Sequence, residues 1–275
     1  MRAQLKTKIR LFAQERGYVP ALRVLLVGEE EDSVLYAQNI VRWFSNLGLR
    51  SSLVTLPHDA RIQQVMAEVS LASTDPDVHG LLVQMPLPSH LDYHEVFCAL
   101  DALKDVEGLH PENIGLLASG QPRLVPSTPL AGMRLLDEYE VPLGGAEVVI
   151  LGRSNVVGKP LAQLMLQRDA SVTLLHSRSR DLVAHIRRAD VVAAAVGRPK
   201  LVTGEMLKPG AVVLDFGINF VGGALVGDVA FDGAIARAAM ITPVPGGIGP
   251  LTNLMLAENL LLAATLQADR ADKLS

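Results

Sequence analysis

The segment from Gly152 to Pro160 has the residue types and the spacing of a phosphate-binding turn. It follows the apolar run EVVIL at Glu147–Leu151 and precedes the helical pattern LAQLMLQR. Peptide N–H groups at the start of a helix attract anions, and a glycine lets a phosphate approach the backbone closely. The spacing is G-x5-G, from Gly152 to Gly158, rather than G-x-G-x-x-G. The turn therefore indicates a nucleotide phosphate site, although a tight turn without a ligand would have the same sequence.

The end of the next predicted strand indicates which nucleotide binds. SVTLLH is followed by Ser177-Arg178-Ser179-Arg180, and the first carboxylate is Asp181. NAD-binding units usually place an Asp or Glu at this strand end to bind the ribose hydroxyls. A hydroxyl and a guanidinium suit a 2′-phosphate instead, and Arg153 in the first turn adds a second forked donor. The sequence favours NADP over NAD, and the alternative is that these arginines are solvated surface charges.

Two further loops follow apolar strands of the same half of the chain. They are Val196-Gly197-Arg198-Pro199 and Asp215-Phe216-Gly217-Ile218-Asn219. Ligands of open α/β sheets bind at the carboxyl ends of the strands, so we expect these loops to line the nicotinamide end of a dinucleotide site.

Apolar runs that alternate with helical patterns predict the elements that position these loops. The predicted strands form two series, Ala21–Val27, Ser52–Leu56 and Val78–Val83, then Glu147–Leu151, Ser171–Leu175, Val191–Val196 and Ala211–Leu214. Strands alternating with helices predict parallel sheets, so the fold class is α/β with two α/β domains, the second one Rossmann-like. The Gly-, Pro- and Ser-rich segment 118–129 marks the crossing between domains 1–122 and 123–250. A last helical pattern over Leu251–Leu266 cannot be assigned to either domain from its periodicity.

Composition excludes several classes of function. The 275 residues carry a net charge of −4, and 49% are hydrophobic. Such a chain has no electrostatic footprint for nucleic acid, and it contains no uninterrupted apolar run of membrane-spanning length. Cys98 is the only cysteine, which excludes an internal disulfide and fits a cytoplasmic protein. We interpret Cys98 as a small core residue, because no neighbouring His activates its thiol. His90 and His94 stand at i and i+4, but no third ligand is evident, so no metal site is predicted.

Together these segments resemble the methylenetetrahydrofolate dehydrogenase/cyclohydrolase family, from about Val24 to Asn259. The resemblance is carried by GLLVQMPLP from Gly80, the Gly152 turn, His176-Ser177, GAVVLDFGIN from Gly210, Gly227-Asp-Val229, and TPVPGGIGPLT from Thr242. It implies a folate-binding catalytic first domain, an NADP-binding second domain, a cleft between them, and a homodimer. It also implies that the C-terminal helix, about 251–275, packs back on the first domain.

The same resemblance implies the site residues. In the family, the motif Ser-x-x-Tyr-x-x-x-Lys supplies a catalytic lysine, whereas here Ser33 and Tyr36 are followed by Ile40. Glu107 stands where the family has an aspartate that holds the pterin ring, and Gln84 is retained. The implied catalytic residues are Tyr36, Gln84 and Glu107; the implied substrate-binding residues are Ser33, Tyr36, Gln84, Glu107, Pro245, Gly246, Gly247 and Thr252. The implied cofactor-binding residues are Gly152, Arg153, Ser154, Val157, Gly158, His176, Ser177, Arg178, Val196, Gly197 and Ile218.

The change at Ile40 separates the two reactions of the family. Hydride transfer from the folate methylene carbon to NADP needs mainly close and aligned carbon atoms. Hydrolysis of the methenyl product needs a proton-transfer group, and losing such a group typically costs about two to four decades in rate. We therefore expect an NADP-dependent dehydrogenase with weak or absent cyclohydrolase activity. The alternatives are a non-catalytic or regulatory paralogue that binds folate or NADP, and a fully bifunctional enzyme with a substitute acid–base group such as Glu107.

Overall fold

A computed structural model describes residues 1–273 as two compact units. Unit 1 contains residues 1–116, 122–125 and 256–273, and unit 2 contains residues 117–121 and 126–255. Both units are α/β with parallel sheets, as the alternating pattern predicts. Across the described residues, no helix combines the length and the apolar character needed to cross a membrane.

Unit 1 is built around a three-stranded parallel sheet in the order β2-β1-β3. Its elements are α1 (Arg2–Arg16), β1 (Ala21–Val27), α2 (Glu31–Leu47), β2 (Arg50–Leu56), α3 (Ile62–Thr74), β3 (Gly80–Val83), α4 (Tyr93–Cys98) and α5 (Pro111–Ala118), whose end lies in unit 2. The central strand β1 is an almost continuous buried apolar run, which is typical of a strand covered on both faces.

Helix α2 packs through one apolar face and carries the residues of interest in this unit. Ala37, Ile40, Phe44 and Leu47 are buried at helical spacing. Gly48 ends the helix in the left-handed conformation at φ 90°, and its N–H donates to carbonyls of the last turn.

Unit 2 is built around a five-stranded parallel sheet in the order β10-β7-β6-β4-β5. Its elements are α6 (Ser127–Glu138), β4 (Glu147–Leu151), α7 (Gly158–Leu166), β5 (Ser171–Leu175), α8 (Leu182–Ile186), β6 (Val191–Ala194), β7 (Val212–Asp215), β8 (Asn219–Val221), β9 (Ala224–Val226), α9 (Phe231–Ala234) and β10 (Met240–Ile241). Strands β8 and β9 form a separate antiparallel hairpin.

The last helix, α10 (Gly249–Asp272), begins in unit 2 and continues into unit 1. Within unit 1, the Asn259 amide donates to the carbonyls of Val106 and Val125, at 2.8 and 2.7 Å. The Gln267 amide donates to the His79 carbonyl at 2.8 Å. Residues 256–272 therefore satisfy backbone groups of unit 1 that lie far away in the sequence.

Several predicted bounds are wrong by one to six residues, for local reasons. The predicted strand Val78–Val83 begins only at Gly80, because the Val78 N–H closes a turn onto the Asp75 carbonyl. The predicted strand Val191–Val196 ends at Ala194, because the Val196 N–H donates to a carboxylate instead of a strand. The strand predicted from Ser52 begins at Arg50, the strand predicted from Ala211 spans Val212–Asp215, and the last helix exceeds the predicted Leu251–Leu266.

The interpretation of Cys98 as a core residue is also wrong. Cys98 ends the short helix α4 and is exposed, while Val96 and Phe97 form the buried face of that helix. Its Sγ lies 4.0 Å from Nε2 of His94, one helical turn earlier. The thiol therefore has a histidine neighbour and is in contact with solvent.

Candidate cofactor and substrate sites

The turn between β4 and α7 brings two glycines against backbone atoms. Gly152 has φ 112°, and a Cβ at this position would lie 2.1 Å from the Ala195 carbonyl oxygen. A Cβ at Gly158 would lie 2.0 Å from the Gly152 carbonyl oxygen. The Ser154 hydroxyl accepts hydrogen bonds from the N–H groups of Val157 and Gly158, at 3.1 and 3.4 Å. The turn is thus tight enough to require both glycines, and it ends at a helix N-terminus, where anions bind.

This turn lines a cavity of about 400 Å³ at the carboxyl ends of β4, β5 and β6. The lining residues come from three successive βα loops, and they are Leu151, Gly152, Arg153, Ser154, Leu175, His176, Ser177, Ser179, Leu182, Ala195, Val196, Arg198 and Leu201. The volume lies within the range of small-molecule sites, and the position is where open α/β sheets bind ligands. The residues present therefore fit a dinucleotide.

The loop after β5 is held by its own hydrogen bonds. The His176 N–H donates to the Ser179 hydroxyl at 3.0 Å, and the Arg178 N–H donates to Nδ1 of His176 at 3.1 Å. These bonds leave Ser177 and Arg178 exposed, while Arg153 and Arg198 are exposed on the neighbouring loops. A dianionic group at this end of the cavity would therefore meet hydroxyls and guanidinium groups.

A fully buried aspartate that the sequence analysis did not single out holds the loop after β6. The Asp228 carboxylate accepts hydrogen bonds from the N–H groups of Val196, Gly197 and Arg198, at 2.6, 2.9 and 2.9 Å. It accepts a fourth from the Asn219 amide at 2.9 Å. Asp228 thus fixes the loop that contributes Val196 and Arg198 to the cavity.

Asp215, at the end of β7, holds Asp228 in turn. Its carboxylate accepts hydrogen bonds from the N–H groups of Gly217, Asp228 and Val229, at 2.9 to 3.0 Å. Burial raises the pKa of Asp215 and the neighbouring Asp228 adds to this increase, whereas the three N–H donors oppose it. A Cβ at Gly227 would lie 1.9 Å from Oδ2 of Asp215, so only glycine fits at this position of the segment Gly227-Asp-Val229.

In unit 1, the predicted residues of α2 differ in exposure. Tyr36 is 49% exposed, whereas Ile40, one turn later, is 2% exposed. Desolvation raises the pKa of Tyr36, and the Glu107 carboxyl raises it further. The Ile40 side chain is buried and aliphatic, so it has no group that can donate or accept a proton.

Gln84 and Glu107 lie at the carboxyl end of β3. The Gln84 N–H donates to the Leu25 carbonyl at 2.8 Å, which extends the pairing of β1 and β3, and its side-chain amide donates to the Met85 carbonyl at 3.1 Å. The Val83 N–H donates to the Glu107 carboxyl, while Oε2 of Glu107 is enclosed without a hydrogen-bond partner. Burial and the neighbouring Asp105 raise the pKa of Glu107 to about 8.

Two family models match consecutive parts of this chain. The catalytic domain of tetrahydrofolate dehydrogenase/cyclohydrolase matches residues 1–107, and the NAD(P)-binding domain of the same enzymes matches residues 126–268. The chain belongs to the tetrahydrofolate dehydrogenase/cyclohydrolase family. Its second domain is an NAD(P)-binding domain, which agrees with the cavity at the Gly152 turn.

Relatives within this family resemble the whole chain. The bifunctional protein FolD of Herpetosiphon aurantiacus is 50% identical over 272 residues, which is 98% of this chain and 95% of the relative. The crystal structure of the bifunctional enzyme FolD from Campylobacter jejuni superposes with a TM-score of 0.94 at 36% identity, over 97% of this chain and 95% of that one. The Trypanosoma brucei FolD, solved with an NADP cofactor and inhibitor, gives a TM-score of 0.92 at 36% identity, over 97% and 94% of the two chains.

The structure distributes the site residues predicted for this family member over both units. Gly152, Arg153, Ser154, His176, Ser177 and Val196 line the 400 Å³ cavity. Arg178 and Gly197 are next to lining residues in the sequence, and the N–H groups of Val157 and Gly158 donate to the lining Ser154 hydroxyl. Ile218 does not line this cavity and is 67% exposed. Ser179 and Arg198 also line it and lie in loops predicted to border the dinucleotide site, although neither was among the implied cofactor-binding residues; Leu182 lines it and lies outside those loops.

The predicted substrate residues of the segment 242–252 belong to unit 2. Gly246 and Gly247 line a second, largely apolar cavity of about 310 Å³ together with residues of α6, β7 and β10. A Cβ at Gly247 would lie 2.5 Å from the Pro243 carbonyl oxygen, so this turn also requires a glycine. Thr252 lies in the first turn of α10, and its hydroxyl donates to the Ile248 carbonyl at 3.5 Å. Pro245 directly precedes the two glycines.

Among residues 1–273, no group of three or more His, Cys, Asp and Glu side chains has the arrangement of a metal site. His90 contacts the Ala60 carbonyl at 3.0 Å, and His94 contacts Cys98. The two histidines at i and i+4 thus have separate partners.

Proposed function

We propose that this protein is an NADP-dependent methylenetetrahydrofolate dehydrogenase that oxidises the methylene folate to methenyltetrahydrofolate. Residues 1–122, with the helix from about 251, bind the folate, and residues 123–250 bind NADP. The observation that carries the proposal is the Gly152 turn with its cavity, combined with matches to both domains of one family. The NADP-containing trypanosomal relative and the bifunctional relatives support the same activity.

The choice of NADP over NAD is supported by the loop after β5. Ser177 and Arg178 stand where an NAD site usually has a carboxylate, and Arg153 and Arg198 add positive charge. Bound NADP accepts the hydride, while the residues of the chain bind and orient the two reactants. We assign the phosphates to the turn from Gly152 to Gly158, and the 2′-phosphate to the end with Ser177 and Arg178.

We further propose that hydrolysis of the methenyl product is slow. Tyr36, Gln84 and Glu107 bind the folate together with Ser33, but Ile40 supplies no proton-transfer group. Losing general acid–base help typically lowers a rate by about two to four decades. The product of oxidation should therefore persist.

The test is an assay of the purified protein with methylenetetrahydrofolate and either NADP or NAD, following both NADPH and the methenyl product. We expect methenyltetrahydrofolate to accumulate with NADP, and Ile40→Lys to shorten its lifetime. Asn39→Lys is the matched control, because it adds the same charge at an exposed neighbouring position of α2. Rapid hydrolysis by the unaltered protein refutes the role given to position 40. Binding of both ligands without turnover identifies a binding paralogue instead.

We also propose a homodimer in the cytoplasm. The hairpin of β8 and β9 supports the dimer, because Phe220 is 79% exposed and Ile218 and Val221 lie beside it with 67% and 50% exposure. Clustered exposed apolar side chains mark interaction surfaces. Phe220→Asp should convert the dimer into a monomer in sedimentation velocity, and a monomeric unaltered protein contradicts the proposal. The single cysteine supports the cytoplasmic location.

A further inference from the structure

The side chain of Asn219 lies at the base of the hairpin of β8 and β9. Asn219 is the first residue of β8 and pairs with Val226, the last residue of β9. Its side-chain amide donates to the Val226 carbonyl at 3.3 Å and to Oδ1 of Asp228 at 2.9 Å. Asn219 therefore connects both strands of the hairpin to a buried carboxylate.

Asp215 fixes the segments on either side of the hairpin. Its Oδ1 accepts the N–H of Gly217, before the hairpin, at 2.9 Å and the N–H of Asp228, after it, at 3.0 Å. A Cβ at Gly217 would lie 2.5 Å from Oδ1 of Asp228, so only glycine lets the chain pass this close to that carboxylate. The Asp228 side chain is thus held directly beside the base of the hairpin.

The same oxygen of Asp228 also binds the loop that lines the cofactor cavity. Oδ1 accepts the Arg198 N–H at 2.9 Å in addition to the Asn219 amide. Oδ2 accepts the N–H groups of Val196 and Gly197. Val196 and Arg198 line the 400 Å³ cavity. A hydrogen bond from the hairpin and one from the cofactor loop therefore meet at a single atom.

The buried Asp228 carboxylate depends on this set of donors. Removing a carboxylate from water is costly unless hydrogen-bond donors or cations replace the water. Three of its donors are peptide N–H groups of the loop 196–198, and the fourth is the Asn219 side chain. Without Asn219, Oδ1 loses one of its two donors, and the loop loses part of what fixes the carboxylate that holds it.

We infer that Asn219 is a positioning residue of the NADP site, which acts through Asp228 to hold the loop 196–198 in the arrangement that receives the cofactor. Asn219 does not line the cavity, so the hydrogen bonds of Asp228 transmit its effect. A loop that is ordered before binding costs the ligand less free energy than a loop that binding must order. The inference rests on the proposed assignment of NADP to the Gly152 turn and is independent of the oxidation of folate.

The first test measures NADP binding by isothermal titration calorimetry. Asn219→Ala removes the amide, and losing a hydrogen bond to a charged group typically changes an equilibrium by about tenfold to a hundredfold. We expect the Kd for NADP to rise about tenfold, because three donors to Asp228 remain. In the dehydrogenase assay, KM for NADP should also rise, while kcat stays within about threefold. An unchanged Kd in a folded Asn219→Ala protein overturns the inference.

Asn219→Asp separates positioning from a general loss of stability. It keeps the shape of asparagine and places a second carboxyl against Asp228. Because a neighbouring negative charge favours the neutral form, and a neutral carboxyl has an O–H donor, lowering the pH should restore a bond to Oδ1. The Kd for NADP, divided by that of the unaltered protein at the same pH, should fall at least about threefold from pH 8 to pH 6. A ratio that is constant or rises as pH falls overturns the inference.

Ala224→Asp is the matched control for the added charge. Ala224 is exposed on β9 and pairs with Val221 at the far end of the same hairpin. This variant should bind NADP within about threefold of the unaltered protein at both pH values. A loss as large as that of Asn219→Asp would mean that any charge on the hairpin weakens binding, which contradicts a specific role of Asn219.

Hydrogen exchange of the unaltered protein gives a test that does not depend on how the variants fold. Coupling between two parts of a structure acts in both directions. We therefore expect NADP to slow amide exchange in the hairpin, residues 219–226, as well as in the loop 196–198, and by more than in α6. Slower exchange in the loop without added protection of the hairpin overturns the inference.

These outcomes separate the inference from the proposed function. If NADP binds and supports oxidation, but Asn219→Ala binds it equally well, only the inference fails. If the variants behave as expected and methylenetetrahydrofolate is not oxidised, only the proposed function fails.

Discussion

Gly152→Ala should disable NADP use through one added methyl group. The new Cβ would lie 2.1 Å from the Ala195 carbonyl oxygen, and real Cβ atoms do not approach closer than 3.0 Å. The contacted oxygen belongs to the backbone and the Cβ is fixed by the backbone at residue 152, so the turn must move by about 1 Å, a displacement that can cost roughly a hundredfold in rate. The left-handed φ of 112° adds about 1 kcal/mol of strain for alanine.

Gly210→Ala is the matched control, because it adds the positive-φ strain of an alanine without displacing the backbone. Gly210 has φ 82°, nothing lies within 4 Å of the position of its Cβ, and it does not line the 400 Å³ cavity. Gly210→Ala should lose about 1 kcal/mol of stability, which corresponds to roughly 2 to 4 °C in Tm for a unit of this size, and Gly152→Ala should lose more, because its Cβ also displaces the backbone. In the dehydrogenase assay, kcat/KM for NADP should fall about a hundredfold in Gly152→Ala and stay within about threefold in Gly210→Ala. Equal kcat/KM values in the two variants would refute the assignment of the turn to the cofactor.

Three other substitutions have equally direct expectations. Asp228→Asn replaces one acceptor oxygen by an NH2 group, and two donors lose their acceptor whichever oxygen is replaced. We expect a loss of at least about 1 to 3 kcal/mol of stability in thermal melts and a higher KM for NADP, whereas the exposed Asp232→Asn should change neither. Arg178→Ala should lower the preference for NADP over NAD by about tenfold to a hundredfold, with the exposed Arg187→Ala as its control, and an unchanged ratio of kcat/KM values would contradict the 2′-phosphate assignment. Burial raises the pKa of Glu107 from 4.5 to about 8, so the folded chain holds a proton that the unfolded chain releases between these pH values. The free energy of unfolding should therefore fall as pH rises from about 4.5 to 8, by up to about 1.4 kcal/mol per pH unit, and Glu107→Gln should remove this slope in urea titrations.

The parts of the fold that depend on local patterns could be predicted from the sequence. The strand Glu147–Leu151 and the turn that begins at Gly152 were predicted with their observed bounds, because a buried parallel strand is a continuous apolar run and a close backbone approach requires glycine. The ends of strands are harder to predict, because they depend on contacts with distant parts of the chain. Val196 extends an apolar run, yet its N–H donates to Asp228, 32 residues later.

The electrostatic part of the site could not be predicted, because it depends on contacts without a spacing rule. In the sequence, Asp228 appears only within the segment Gly227-Asp-Val229 and carries no assigned role, because the peptide N–H groups that it binds are about 30 residues away. Glu107 likewise gives no sign of its enclosure, which results from β3 and the segment at Asp105. Cys98 was misassigned because a helix of six residues has only one buried face, and the apolar residues near Cys98 occupy that face.

The helix α10 has a consequence for the order in which the protein forms during synthesis. Unit 1 contains the first 116 residues, yet it needs partners from the end of the chain. The amides of Asn259 and Gln267 donate to backbone carbonyls of this unit, and Arg16 of α1 pairs with Asp269 at 2.8 Å. The ribosome completes residues 126–255 before it releases these partners, so unit 2 can close first although it comes second. At roughly 5 to 20 residues per second, the N-terminal half waits about ten to thirty seconds for its last helix. During translation, the nascent unit 1 is therefore the part of the chain that would need protection by chaperones.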